Sequence, residues 1–478
     1  MTTTIATRRD ITLEAVHRVA WHRSPVRLAG SALARIAACR ASFMALIDSD
    51  PDLFIYGVTS GYGQNARQRL SPAERKEHAR RPPGSAAASF GATLPDRVAR
   101  AIVLARLANF VEGHAAVTPA LAQAVAGLLD GPPLPAIPWQ GQGGAGEILS
   151  LSYLFEPLAQ SFDLAEKETL ALINGSPSAA ALAADSALAA RRRLDLAIPV
   201  FALAFEALKT PLEHVASELD DLWGDDGEAH ALRALRACLT GVPTEDRRPY
   251  QAPVSFRVLP RVLGQAFRAV VEAERAATVS LASVSDNPVY IPPHDGYPLG
   301  RVYSTGGYHN AMATPALDGL GHAWAELCLL ADRQATKLLD GRYSLLPDQL
   351  RVDGAETYFG CLPMALVGYY EEARHAAART FTPASESGGF GQNDVAPPTF
   401  LAWAKEADAG RALVAALATL AVIASQALHV TGRAAPPPLA PFLEEIRAIA
   451  VPTTAVVAPG PLLEPLAQHF ARRIHDVV

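Results

Sequence analysis

Residues 138 to 154 read PWQGQGGAGEILSLSYL, and the fold turns on what this stretch is. Gly141, Gly143 and Gly146 spell G-x-G-x-x-G, with a helix-like run behind them. In a dinucleotide-binding βαβ unit that spacing lets backbone amides approach a pyrophosphate, but a strand must lead into the first glycine. Here the lead-in is GPPLPAIPWQ, residues 131 to 140. Proline removes ladder donors and is kept out of central strands. Glu166 and Glu168 stand at about the distance where a ribose-binding acid would follow, yet the alternating strand–helix pattern of an α/β fold is missing. From the residues alone, the stretch is a tight glycine turn ahead of a helix.

The flanking chain is helical in pattern. DRVARAIVLARLANFVEG, RVLGQAFRAVVEAERAATVSLASV, NAMATPALDGLGHAWAELCLLADRQATKLL and GRALVAALATLAVIASQALHV are long apolar-periodic runs without coiled-coil heptads, which predicts a bundle. Only LFIYGVTSGYG and NPVYIPP read as short strands. Proline clusters at RRPPG, GPPLPAIP, APPTF and AAPPPLAP mark loops. The fold class is therefore mainly α: a long central helical bundle with a smaller mixed N-terminal region. A soft boundary is placed near residue 190, giving 1–190 and 191–478.

Composition narrows the function classes. Half of the 478 residues are hydrophobic and 19% are charged, which supports a large core and argues against disorder. A net charge of -6 without a basic run gives no footprint for nucleic acid. Ala412 to Leu428 is the best membrane candidate, but it is short and carries Ser425 and Gln426, so a buried bundle helix is expected and no membrane partner. The start, MTTTIATRRDITLEAVHRVAW, has no signal-type apolar stretch. Cys39, Cys238, Cys328 and Cys361 are far apart and lack metal spacing, as expected of reduced thiols in a cytoplasmic protein with no metal.

A set of segments in order carries a resemblance. IYGVTSGYG (55–63) is similar to Y-G-V-N-T-G-F-G, and SAAASFGATLPDRVARA to an S-H-A-A-G segment ahead of L-P. LALINGSPS is similar to L-A-L-I-N-G-T-Q, and QAPVSFRVLPRVLG to Q-D-P-Y-S-x-R-x-x-P-Q-V-x-G. SVSDNPVY, STGGYHN and PASESGGFGQNDV resemble S-x-D-N-P, S-G-G-N-F-H-G and P-x-S…Q-E-D-x-V. These are motifs of the histidine and aromatic amino-acid ammonia-lyases and aminomutases. The resemblance implies that family's helical fold, a small-molecule substrate, and a homotetramer whose sites are shared between subunits. It also implies a glycine-rich loop carrying Ala-Ser-Gly, which cyclises and dehydrates to the electrophile methylidene-imidazolone (MIO).

The departures concern chemistry. Gly144, Ala145 and Gly146 stand where Ala-Ser-Gly belongs, and that tripeptide occurs nowhere in the chain. The methylidene arises by loss of the serine hydroxyl as water. Ala145 has a methyl group and nothing to lose, so MIO is not expected to form. Ala86 replaces the histidine of S-H-A-A-G, Val254 the tyrosine and Ala252 the aspartate of Q-D-P-Y-S. Asn393 replaces the glutamate of Q-E-D beside a retained Gln392, and Gly307 the asparagine of G-G-N-F-H. These changes make the pocket more apolar and roomier.

What remains supports proton chemistry without MIO. Tyr56 matches the family's catalytic base; a phenol ordinarily titrates at about 10 and needs positive potential to act near neutrality. Arg257 matches the arginine that pairs with a substrate carboxylate, a task suited to a planar fork of donors. Asn174 matches the asparagine that bonds substrate and orders the loop, although Asn-Gly is also a turn signal. Tyr308, in the phenylalanine position, and Asn287 shape the site, and His309 is structural. The expected function is a MIO-independent lyase-like or cyclase- or isomerase-like enzyme acting on a carboxylate-bearing substrate by elimination, conjugate addition, cyclisation or isomerisation. The alternatives are a non-catalytic binding or assembly protein and an ordinary aromatic ammonia-lyase or aminomutase.

Overall fold

The protein is described by a computed structural model covering residues 2–81, 83–352, 359–385, 391–453 and 455–475. Helices Pro177–Ala207, Leu259–Leu281, Ala313–Leu339 and Thr399–Val430 pack on one another, with Leu362–Ala376 against the last two. Leu259–Leu281 buries Leu259, Leu263, Ala266, Val270, Ala273, Ala277 and Leu281, a stripe at helical spacing with charged residues opposite. Pro177–Ala207 is alanine-rich and buried on nearly all sides, so its neighbours approach closely. Thr399–Val430 is apolar and long enough to cross a membrane, but it packs inside the bundle, with 83% of its most apolar window buried against protein. The helix Gly30–Ser49 also passes the length and composition test and buries one face through Ala32, Ile36, Cys39, Phe43 and Ile47.

Two expectations need correction. The boundary near residue 190 falls inside Pro177–Ala207, where Ala187, Ala189 and Ala190 are all buried. That helix runs unbroken from the glycine-loop region into the bundle, so no linker separates 1–190 from 191–478. The segment LFIYGVTSGYG is a chain of turns rather than a strand. Gly57 and Gly63 take left-handed φ values of 67° and 57°, which curl the backbone, and only Ser60 makes an isolated bridge, to Arg69. NPVYIPP does hold a strand, Val289–Ile291, antiparallel to Arg301–Tyr303. Among the described residues the four cysteines are unpaired thiols.

Candidate active site

The glycine loop is pinned to the segment before the Asp96–Phe110 helix. Trp139 donates its N–H to the Ala92 carbonyl at 2.9 Å, and Gln140 Oε1 accepts the Ala92 N–H at 3.0 Å. Gln142 Nε2 donates to Ser89 Oγ at 3.0 Å and to the Pro138 carbonyl at 2.7 Å. The helix Ile148–Ser161 begins directly after the loop, and the lead-in forms only a single bridge, Pro138 with Thr93. A nucleotide loop fed by a strand is not what these residues build. Gly146 has φ 97°, and a Cβ there would lie 3.5 Å from the Tyr308 ring, so Tyr308 lies directly against the loop. Ser385 Oγ donates to the Gly143 carbonyl at 3.3 Å, and the Ser385 N–H donates to the Asp394 carbonyl at 3.0 Å. Gln392 is exposed and Asn393 half-buried. Gly144, Ala145 and Gly146 are half-buried.

Beneath the loop sits a buried polar floor. Glu147 follows the tripeptide position directly, and its carboxylate accepts the Ser178 and Ala179 N–H groups at 2.5 and 2.7 Å. Those donors are amides that the first turn of Pro177–Ala207 leaves without a partner inside the helix, where a helix favours negative charge. Burial nonetheless dominates and pushes the Glu147 carboxyl up to about 7, against the pull of these amides and of Arg106. Burial likewise lowers Arg106 to about 10, with Asp286 and Glu147 opposing it. Arg106 donates to the Asn174 carbonyl, while its Nε and Nη1 are buried without a hydrogen bond among the described residues. Lys167 and Asp286 form an ion pair whose side chains are both wholly buried.

Asn174 stands at the centre of this arrangement. Its Nδ2 donates to the Asn287 carbonyl at 2.7 Å and its Oδ1 accepts the Gly175 N–H at 2.7 Å. Asn287 Oδ1 in turn accepts the Thr305 N–H at 2.8 Å, three residues before Tyr308. Three helices, Ile148–Ser161, Pro177–Ala207 and Ala313–Leu339, begin within a few residues of Gly146, Asn174 and Tyr308 respectively. Glu147 joins the first two of these N-termini through its bonds to Ser178 and Ala179.

Tyr56 lies on the neighbouring loop, half-buried, and its phenol oxygen accepts the Gly63 N–H at 3.2 Å. Gly57 presses on Leu170, in the helix Glu168–Ile173 that ends at Asn174; a Cβ on Gly57 would lie 2.6 Å from Leu170 Cδ2. Tyr62 packs its ring on His78, and burial pushes its phenol up, which makes it a poorer base than its position suggests. Ala86 ends the turn Pro83–Ala86, which packs against Ile148–Ser161. Val254 and Arg257 stand apart. They form the short helix Val254–Arg257, with Val254 exposed and the Arg257 Nε buried without a hydrogen bond among the described residues. Arg257 acts on His214, which is held below its ordinary range by burial, with Glu213 opposing and Arg257 adding to the shift. No described hydrogen bond or ion pair joins Arg257 to Tyr56, Asn174 or Tyr308 within one chain.

The profile of the aromatic amino acid lyase family matches residues 11–161 and 158–448. The chain belongs to this family. It is 29% identical to the histidine ammonia-lyase of Streptomyces coelicolor over 420 residues, 80% of each chain. It is 28% identical to the tyrosine ammonia-lyase of Cereibacter sphaeroides over 377 residues, 70% of this chain and 71% of that one. In fold it is similar to the ergothioneine-degrading ergothionase of Treponema denticola, with TM-score 0.89, 19% identity and 99% of each chain covered. The phenylalanine aminomutase of Pantoea agglomerans has TM-score 0.88 at 19% identity, again over 99% of each chain.

Within this family the residues of the loop do not fit the MIO group. The Gly144-Ala145-Gly146 backbone offers no hydroxyl, so the dehydration that makes the electrophilic methylene has no oxygen to expel. No cluster of three or more His, Cys, Asp or Glu suited to a metal occurs among the described residues. Glu147, Arg106, Lys167 and Asp286 were not among the residues expected from the sequence. One signal was available: Arg100, Arg106 and Asn109 interrupt an otherwise apolar helix, and a charge on a buried face has to be paired. Glu168, whose spacing suggests a ribose ligand, serves the fold instead: its carboxylate accepts the Thr118 and Ala165 N–H groups at 2.7 and 2.8 Å.

Proposed function

We propose that this family member catalyses elimination from a carboxylate-bearing substrate without MIO, with Tyr56 as the base. The observation that carries the reading is Ala145 in the serine position, above a floor of Glu147, Arg106 and Asn174 that is otherwise fully built. In the forward step the Tyr56 phenolate takes the proton from Cβ, the C–H pair becomes the Cα=Cβ bond, and the leaving group departs from Cα with its bonding electrons. MIO serves the family because that proton is weakly acidic and ammonia leaves poorly. A substrate with a more acidic proton or a better leaving group removes the need for it. An ergothioneine-degrading enzyme on the same fold supports a substrate outside the ordinary amino acids.

Asn174 hydrogen-bonds the substrate, Tyr308 covers it, and Gln392, Asn393 and Ala86 line a roomier pocket, to which Val254 comes, with Arg257, from another subunit. Arg257 holds the carboxylate, supplied by another subunit of a homotetramer; its distance in contacts from Tyr56 within one chain supports that arrangement. The glycines of the Tyr56 loop let it close over the ligand and exclude water. The test is Tyr56→Phe, which keeps the ring and removes the hydroxyl. Turnover is expected to fall on the order of a hundredfold or more, the size of a general-base contribution, with the fold unchanged. Wild-type-like turnover by this variant defeats the assignment. Equal ligand binding by both proteins, with turnover by neither, makes the chain a binding protein.

A further inference from the structure

At the far end of the Pro177–Ala207 helix from Asn174, a cavity of about 430 Å³ opens between the helix terminus, the 246–249 segment, the 344–346 turn and the end of Thr399–Val430. Its wall carries Lys209, Arg247, Arg248 and Arg433 and a single carboxylate, Asp246. Glu206 lies behind the wall and is shared by Arg247 at 2.9 Å and Arg433 at 3.6 Å. Four cations thus face two carboxylates, and they are not equally occupied.

Arg433 serves the fold. It donates to the Glu206 and Ala207 carbonyls at 3.1 and 2.5 Å and to Thr431 Oγ1 at 3.0 Å, which ties down the helix end. Arg247 is partly used: Nε donates to the Thr210 carbonyl at 2.7 Å and Nη1 to Glu206 Oε2 at 2.9 Å, while Nη2 has no hydrogen bond among the described residues. Arg248 gives one nitrogen to the Tyr343 carbonyl. The Lys209 ammonium bonds no described protein group, although its backbone carbonyl accepts the Arg248 N–H at 3.1 Å and so fixes the two side by side. Burial holds Arg248 and Arg433 below their ordinary range; for Arg433, Glu206 opposes the shift and Arg247 adds to it.

The backbone around the cavity is strained as well. Lys209, Asp246 and Leu345 have φ of 54°, 56° and 60°, left-handed values that non-glycine residues rarely take, and all three line this one cavity. Strain of this kind persists where the surroundings over-determine it, and it gathers at ligand clamps.

We propose that this cavity binds a small phosphate monoester, with Lys209, Arg247 and Arg248 donating to the phosphate oxygens. Unspent donors from three side chains match the three oxygens of a tetrahedral dianion, whereas a planar carboxylate is matched by one guanidinium fork. The cavity is much larger than a phosphate ion, and Leu208, Pro249 and Leu346 supply apolar wall for the ester's organic part. The site is independent of the Tyr56 chemistry.

Calorimetric titration of the intact protein at low salt with inorganic phosphate, phenyl phosphate and benzoate tests it. Phenyl phosphate is expected to bind saturably and more tightly than phosphate, and benzoate at least tenfold more weakly. Lys209→Asn combined with Arg248→Gln is expected to weaken phenyl phosphate at least tenfold; asparagine tolerates the left-handed backbone. Asp246→Asn removes the opposing carboxylate and is expected to tighten binding severalfold, while Arg257→Gln leaves it unchanged. Absence of saturable binding by either phosphate, benzoate binding as tight as the ester, or an unchanged affinity in the double variant overturns the proposal. Should the double variant not fold, an Asp246→Asn protein with unaltered affinity overturns it equally.

Discussion

Asn174 and Asn287 are joined by a 2.7 Å hydrogen bond from the side-chain amide of the first to the carbonyl of the second. The bond locks the INGSP turn to the SDNP turn, and Asn287 passes the constraint on to Thr305 and so towards Tyr308. Asn174→Ala removes the donor and leaves a part-buried carbonyl unpaired. The expected cost is about 1–2 kcal/mol of stability, read from urea unfolding, together with a larger loss of turnover than of ligand affinity. A variant as active as the wild type would show that Asn174 is only a turn residue.

The Lys167–Asp286 pair is wholly buried, so neither charge has water to fall back on. Asp286→Ala strands the ammonium and is expected to destabilise the protein by about 3–5 kcal/mol. A loss under about 1 kcal/mol, the range of an exposed pair, would contradict this reading of the floor.

Glu147 predicts a pH dependence. Its carboxyl is raised by burial from 4.5 to about 7, so the folded protein holds a proton that the unfolded chain gives up between these values. The stability it contributes is fully present below pH 4.5 and lost as pH rises to about 7. The change is on the order of a few kcal/mol. Glu147→Gln cannot titrate, and thermal unfolding of the two proteins across this window should show the wild type losing ground to the variant as pH rises. Parallel curves would mean that Glu147 is ionised throughout, held by the amides of Ser178 and Ala179.

Gly57 sets the position of Tyr56. With φ 67°, and with Leu170 Cδ2 only 2.6 Å from where a Cβ would sit, Gly57→Ala is strained and crowded at once. Activity is expected to fall more than tenfold, with a stability loss of about 1–3 kcal/mol. Full activity in the alanine variant would show that the loop's register against the Glu168–Ile173 helix does not matter.

How much of this was legible in the sequence follows from which signals are local. The bundle helices were, because apolar spacing over twenty or more residues leaves little alternative, and Thr399–Val430 resolves as bundle core for that reason. Tyr56, Asn174 and Tyr308 carry recognisable motifs; the structure sets Tyr308 against Gly146 and ties Asn174 to Asn287. The boundary at residue 190 failed because an alanine-rich helix carries no punctuation to show that it continues. The strand expected over LFIYGVTSGYG failed because its glycines outweigh its β-formers. The Glu147–Arg106–Asp286 floor was invisible because its members come from distant segments, and only folding pairs them.

Whether this lyase-family site works without the electrophilic group its relatives build is decided by the mass of the peptide spanning residues 138–154. The expected value is that of the unmodified sequence, unchanged after borohydride treatment of the native protein. A deficit of one water and two hydrogens within Gly144-Ala145-Gly146, the loss on oxidative closure of an alanine tripeptide to the same methylidene, or a borohydride adduct there, would show that the electrophile forms after all and that Ala145 does not prevent it.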